Sequence, residues 1–276
     1  MRVSVAVVTG ALAATALAVP AAQATDNPAP RFAAEGFAAQ ADDIHEGDTR
    51  ITGVTLNGGK PIVLGTTAKK SVDVTITATD NKGIDIGSAF LWRGKSVGDA
   101  DDGFVTDPEI VKCTNQGTKG TCKLKFVFNP QELYLNSIAG SWKLAVLADA
   151  KDEGENDDFA MSTKYLTTNI QRASKLTVNA SPEPARQGDT LTVTGALTRA
   201  NWETGTYTGY TAQPVKLQYR AKNATSYTTL KTVKTDSKGN LKTTVKATAD
   251  GYYRYFFEGT PTTPAIKAGG DFVDIG

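Results

Sequence analysis

Histidine and cysteine are almost missing from this chain: His45 is the sole histidine, and Cys113 and Cys122 are the two cysteines, in 276 residues. A Ser-His-Asp or Cys-His mechanism needs an imidazole held within hydrogen-bond reach of its nucleophile, and zinc sites draw several ligands from His and Cys. One histidine near an Ala- and Pro-rich stretch suits neither. A Gly-rich loop placed between a strand and a helix is also missing, so phosphate cradling has no carrier. Charge of one sign is lacking as well, with 30 Lys and Arg against 29 Asp and Glu. Acids are plentiful, which leaves a glycosidase-like carboxylate pair open, since separation in space is not written in a sequence.

The long uncharged run, Val3 to Val19, follows Met1-Arg2 and precedes Pro20 and Ala22-Gln23-Ala24. Positive start, apolar middle and small-residue site are the parts of a secretory signal, and at about 17 residues the run falls short of the roughly 20 that a membrane span needs. We therefore expect residues 1–24 to be a signal peptide and the protein to be secreted and extracellular, with no membrane insertion after cleavage. Residues 25–47 read as a flexible lead-in, within which Arg31 to Ile44 is compatible with a short helix. An oxidising compartment suits pairing of Cys113 with Cys122. The turn-forming residues between them predict a disulfide that closes a hairpin.

What is abundant is alternation. In Lys70-Ser71-Val72-Asp73-Val74-Thr75-Ile76-Thr77-Ala78-Thr79 every second residue is apolar, the pattern of a strand with one face on a core and one in water. The same period runs through Cys122, Leu124, Phe126 and Phe128, and through Trp142, Leu144, Val146 and Ala148. It restarts after Gln171-Arg172-Ala173, with runs at Thr190 to Thr194, Val215 to Tyr219, Tyr227 to Val233, Leu241 to Ala247, Tyr252 to Phe257 and Phe272 to Ile275. Short strands separated by turn signals call for sheet-on-sheet packing. The expected fold is all-β: two tandem sandwiches, residues 48–170 and residues 174–276, after the signal peptide and the lead-in. Charge divides between them, since residues 171–276 hold 14 Lys and Arg against 8 Asp and Glu. Those lysines alternate with Thr along strands rather than cluster with Arg, and nucleic acid is not expected as a partner.

Several segments resemble known modules. Ser181-Pro182-Glu183-Pro184, Gly188-Asp189-Thr190-Leu191-Thr192-Val193-Thr194-Gly195, Val215-Lys216-Leu217-Gln218-Tyr219-Arg220 and Gly251-Tyr252-Tyr253-Arg254-Tyr255 are similar to immunoglobulin-like modules of secreted actinobacterial proteins. Thr79-Asp80-Asn81-Lys82-Gly83-Ile84 and Gly140-Ser141-Trp142-Lys143-Leu144 resemble other bacterial immunoglobulin-like repeats. The resemblance implies two immunoglobulin-like sandwiches and no assigned activity, and no residue role comes with it.

Two clusters are candidate sites. The run from Asp149 to Asp158 lies between the last two strands of the first sandwich, and an immunoglobulin-like order puts it at the same end as Asp80 and Asp85. Oxygens of Asp80, Asp85, Asp149, Asp152, Asp157 and Asp158 are thus candidate Ca2+ ligands, a cation that takes six to eight of them, with a solvated acidic loop as the plainer reading. The loop at Asp99-Ala100-Asp101-Asp102 reads as solvent-facing. Trp202, Tyr207 and Tyr210, among Asn, Thr and Gly, suit either stacking on a glycan or cementing the connection between domains. Tyr252, Tyr253, Tyr255, Phe256 and Phe257 read as mostly core. The expected function is a non-catalytic binding or adhesion module for a glycan, wall polymer or protein. The alternatives are a calcium-stabilised spacer and a carboxylate-dependent hydrolase.

Overall fold

The computed structural model describes residues 2–3, 43–151 and 158–276. The signal-peptide reading, apart from the backbone of Arg2–Val3, most of the lead-in, and Asp152 and Asp157 lie outside the described residues. Two compact units divide the rest. The first holds the described parts of Met1–Gly59, Ser71–Val127 and Trp142–Thr167; the second holds Lys60–Lys70, Phe128–Ser141 and Thr168–Gly276. No α-helix occurs among the described residues, only strands and short 3-10 turns.

The strands of the first half are β1 (Arg2–Val3), β2 (Asp43–Glu46), β3 (Arg50–Leu56), β4 (Ile62–Leu64), β5 (Lys70–Thr79), β6 (Ile84–Gly94), β7 (Ala100–Lys112), β8 (Thr114–Gln116), β9 (Lys119–Phe128), β10 (Gly140–Ala150) and β11 (Phe159–Arg172). In the first unit they form the sheets β1-β7-β6-β10-β11-β2 and β3-β5-β9-β8. The alternation read in β5 is the alternation observed, with Val72, Val74, Ile76 and Ala78 buried. β10 departs from it: residues 144–148 are buried on both sides of the strand. The sheets meet closely where β6 crosses β9. A Cβ on Gly87 would stand 2.7 Å from Cys122 Sγ, and one on Gly120 would stand 2.4 Å from Ile84 Cβ.

Two expectations change here. His45 sits on β2, where it pairs with Ala160 of β11, so residues 43–46 form an edge strand rather than part of a lead-in. Ala100 to Asp102 open β7 rather than lie in a loop; Asp99 and Asp101 face solvent as expected, while Asp102 is paired with Arg93 at 3.2 Å. Pairing with β6 satisfies the backbone of that acidic run and draws it into the sheet.

The predicted disulfide is present between Cys113 and Cys122, with Cα atoms 4.3 Å apart. Thr114 pairs with Thr121, so the bond closes the β8-β9 hairpin as expected. It does more than the sequence indicated, because Cys113 marks the passage from β7 in one sheet to β8 in the other, and its N–H still donates to Asp85 O on β6. The disulfide therefore ties the two sheets of the first unit together.

The second unit adds β12 (Ser174–Leu176), β13 (Asn179–Ser181), β14 (Thr190–Asn201), β15 (Thr206–Gly209), β16 (Pro214–Ala221), β17 (Thr228–Lys234), β18 (Asn240–Lys246), β19 (Gly251–Phe257), β20 (Ile266–Lys267) and β21 (Asp271–Val273). The long β14 centres one sheet, flanked by β12 and β13 on one side and by β15 and β18 on the other. The second sheet runs β17-β16-β19, with β20 and β21 both on the far edge of β19. Between them lies an apolar core that includes Leu191, Val193, Leu197, Val215, Leu217, Tyr253, Tyr255 and Phe257. Tyr255, with no exposed surface, donates its hydroxyl to Val193 O at 2.9 Å and so crosses from one sheet to the other. The chain is thus all-β, each unit built of two largely antiparallel sheets closed over an apolar core.

Candidate functional site

The aromatic loop of the second unit is packed inward. Trp202 is only 4% exposed and donates its indole N–H to Gly65 O at 2.8 Å, while its backbone N–H donates to Asn136 Oδ1. Tyr210 is also buried, set edge-on against Phe257 and covered by the Arg199 guanidinium at 3.8 Å. Tyr207 is half-buried beneath the Lys175 ammonium at 4.0 Å. These three rings are therefore no open platform. A buried indole needs an acceptor for its N–H, and segment Lys60–Lys70, which belongs to this unit, supplies it.

The acidic residues separate into a cluster and outliers. One carboxylate oxygen from each of Asp48, Asp80 and Asp158 lies within 4.8 Å of the others. Asp80 and Asp158 are thus brought together as the loop order implies, and Asp48, outside the candidate ligands above, joins them. Asp85 is held away by Lys112, whose Nζ lies 2.7 Å and 2.9 Å from its two oxygens, and Asp149 is part of β10 opposite Ile86.

At the centre of the cluster is buried Thr49. Its N–H donates to Asp158 Oδ1 at 3.0 Å and its hydroxyl to Asp80 Oδ2 at 3.1 Å. Asp158 Oδ2 accepts from Asp48 N–H at 3.3 Å, and Asp80 Oδ1 accepts from Lys82 N–H at 2.7 Å. Burial pushes the Asp158 carboxyl up, but the hydrogen bonds from Thr49 and Asp48 outweigh it and hold the group at about 2. Asp48 moves the other way, raised by desolvation and by the neighbouring Asp158 and Asp80 carboxyls. A general acid needs a raised pKa and an outward oxygen. Asp158 has neither, since both of its oxygens are turned to backbone N–H groups.

A third arrangement was not singled out from the sequence. On β19, Tyr253, Tyr255 and Phe257 are buried, whereas Tyr252, Arg254 and Phe256 are half-exposed on the opposite face. Tyr252 and Phe256 are therefore not core, because a period of two sends neighbours to opposite sides. Cross-strand pairing sets Arg220 against Tyr252, Gln218 against Arg254 and Lys216 against Phe256. The Arg220 guanidinium lies 4.1 Å from the Tyr252 ring centroid and 5.4 Å from that of Tyr227. Arg254 covers Tyr227 at 3.6 Å, and Phe272 on β21 leans on Tyr252 at 5.0 Å. The signal was available in the alternation Tyr252, Arg254, Phe256 read beside Lys216, Gln218, Arg220.

Comparison with known proteins places this geometry in no named group. No protein-family model matches the chain, and no curated protein matches it. Among solved structures it is similar to the D0-D1 domain of intimin, with 14% identity over 81% of this chain and 98% of that one, at a TM-score of 0.26. A putative membrane anchored protein from Corynebacterium diphtheriae shares 11% identity over 83% of this chain and 53% of that one, at a TM-score of 0.27. An amphioxus IgVJ-C2 molecule shares 10% identity over 78% of this chain and all of that one, at a TM-score of 0.29. At such scores no residue role is taken from any of them.

Proposed function

We propose that this chain is an extracellular, non-catalytic binding module whose ligand, a glycan, a wall polymer or a protein, rests on the outer face of the β17-β16-β19 sheet. The observation that carries the reading is the row of half-exposed rings on that face, Tyr252, Phe256 and Phe272, interleaved with Arg220 and Arg254. Solvent faces of sheets are ordinarily polar, as in β18, where Lys242, Thr244 and Lys246 point outward. Rings left half in water on a rigid sheet are an energetic cost that recognition offsets. The Cys113–Cys122 disulfide supports an oxidising compartment.

The test is a binding panel of neutral polysaccharides, acidic polysaccharides and cell-wall fractions against the immobilised chain, with assay of released reducing ends. We expect saturable binding to at least one class, no release, and a loss of binding of tenfold or more in Tyr252→Ala. Saturable binding that Tyr252→Ala leaves unchanged would reject this face, and released reducing ends would reject the non-catalytic reading.

The convergence of Asp48, Asp80 and Asp158 favours a second reading, in which Ca2+ stiffens the first unit as a spacer. Three carboxylates with no basic partner among the described residues fit a hard cation that prefers oxygen, and a ligand bound only by the folded state raises stability by mass action. Millimolar Ca2+ should raise the melting temperature relative to EDTA, and Asp48→Asn should abolish the rise. Superimposable melts with and without the ion would dismiss it.

A further inference from the structure

We infer that the outer face of the β17-β16-β19 sheet binds an acidic polysaccharide, a chain of saturated sugar or polyol units bearing carboxylate or phosphate, through the ring-stacked guanidinium groups of Arg220 and Arg254. This rests on the binding-module reading above and narrows it to one ligand class. The first argument is charge. Lys216 and Lys222, nearby, are neutralised by Glu258 at 2.6 Å and by Asp250 at 3.2 Å. Arg220 and Arg254 have no carboxylate partner among the described residues: Arg220 donates through Nη1 to Ala224 O at 2.6 Å and Lys222 O at 3.4 Å, and Arg254 donates through Nε to Gln218 Oε1 at 2.9 Å. A guanidinium carries five N–H donors in a fixed fork that matches carboxylate and phosphate. Most of those donors remain for a ligand.

The second argument is preorganisation. Tyr227 lies against both guanidiniums, and its hydroxyl reaches over Gly270, where a Cβ would stand 2.4 Å from that oxygen. Stacked on rings, the two long side chains lose less freedom when an anion arrives. They are diagonal neighbours on one sheet face, so their Cβ atoms stand roughly 7–8 Å apart, a spacing that engages successive charges of a linear polymer rather than one small anion.

The third argument separates this ligand from nucleic acid. Single strands bind by stacking bases on open aromatic faces, and here one face of Tyr227 and one of Tyr252 are covered by guanidinium at 3.6 Å and 4.1 Å. A polymer of saturated rings needs no such face; it needs the donors.

The experiment measures binding of the whole chain to polygalacturonate, poly(glycerol phosphate), neutral amylose and oligo(dT). We expect binding to one or both anionic polymers, weakened by added salt, with amylose and oligo(dT) at least tenfold weaker. Arg220→Gln combined with Arg254→Gln should reduce that binding tenfold or more. Lys238→Gln combined with Lys242→Gln, which removes the same charge from exposed positions elsewhere in the unit, should change it less than twofold. If the glutamine pair fails to fold, Arg220→Lys with Arg254→Lys keeps the charge and loses the fork, and should still cost severalfold. Equal losses in the two glutamine pairs, or preference for oligo(dT), would overturn the proposal. Preference for amylose, or absence of binding to both anionic polymers, would overturn the ligand class while leaving the module reading standing.

Discussion

At the scale of single residues, the first unit is fastened at one end by carboxylates acting as hydrogen-bond acceptors for its own backbone. Asp158 receives the N–H groups of Asp48 and Thr49, and because this holds its pKa at about 2 the stability it contributes has a definite pH window. The folded value is depressed, so the contribution is complete above the unfolded value of about 3.9 and is lost as pH falls toward 2. Urea unfolding of wild type and Asp158→Asn should therefore differ by a constant amount from neutral pH down to about pH 5, and the two should converge below it. A gap that persists unchanged to pH 2 would mean that Asp158 acts by shape and not by charge. Asp48, raised by desolvation and by its two acidic neighbours, predicts the reverse sign: without a cation, Asp48→Asn relieves repulsion and should not destabilise.

The same residues show what was legible beforehand. That Asp80 and Asp158 would meet followed from loop order in an alternating two-sheet fold. That Asp48 joins them, and that Asp85 is captured by Lys112, depended on turn and side-chain geometry that composition does not carry. Trp202 admits two readings in the sequence, an exposed platform or a packed connection, and its burial against Gly65 decides for packing; that acceptor lies 137 residues away, and no local pattern announces such a partner.

At the scale of elements, period-two alternation located β5, β9, β10 and β14 but not β6, β7 or β11, and, applied to β19, also contained the outward row of Tyr252, Arg254 and Phe256. What it did not contain was the crossing of strands between sheets. The Cys113–Cys122 bond lies at such a crossing and holds β6 close to β9 through the glycine at Gly87. Closing a loop of about ten residues is worth roughly 2.5–3 kcal/mol in the entropic account. Reduction, or replacement of both cysteines by Ala, should lower the unfolding free energy by about that amount. A much smaller loss would show that the two sheets need no tie at this corner. In the second unit, Gly195 of β14 faces Thr177 O at 2.3 Å and the Tyr255 ring at 2.9 Å from where a Cβ would sit. Gly195→Ala thus forces backbone or the central tyrosine to shift, at a cost of about 1–3 kcal/mol typical of overpacking.

At the scale of the whole molecule, compact units and chain order do not coincide. Segments Lys60–Lys70 and Phe128–Ser141 belong with Thr168–Gly276, although they precede it by many residues. They are attached by β4 running parallel to the end of β11, with Ile62 opposite Ile170, by Asn136 bonded to Asn201 and Trp202, and by the indole bond of Trp202 to Gly65. A fragment cut at the apparent sequence boundary, residues 174–276, removes every one of these partners. Its sole tryptophan would be Trp202, because Trp92 and Trp142 lie in the first unit. Emission of the fragment should then be red-shifted and open to quenching by acrylamide, compared with the Trp202 contribution obtained by subtracting the spectrum of Trp202→Phe from that of the whole chain. Stability should fall by about 3–5 kcal/mol, the usual cost of losing the packing of a large buried aromatic. A fragment whose tryptophan remained shielded, and which unfolded at the urea concentration of the full chain's second unit, would show that residues 174–276 form a self-sufficient sandwich and that the earlier segments only lie against it.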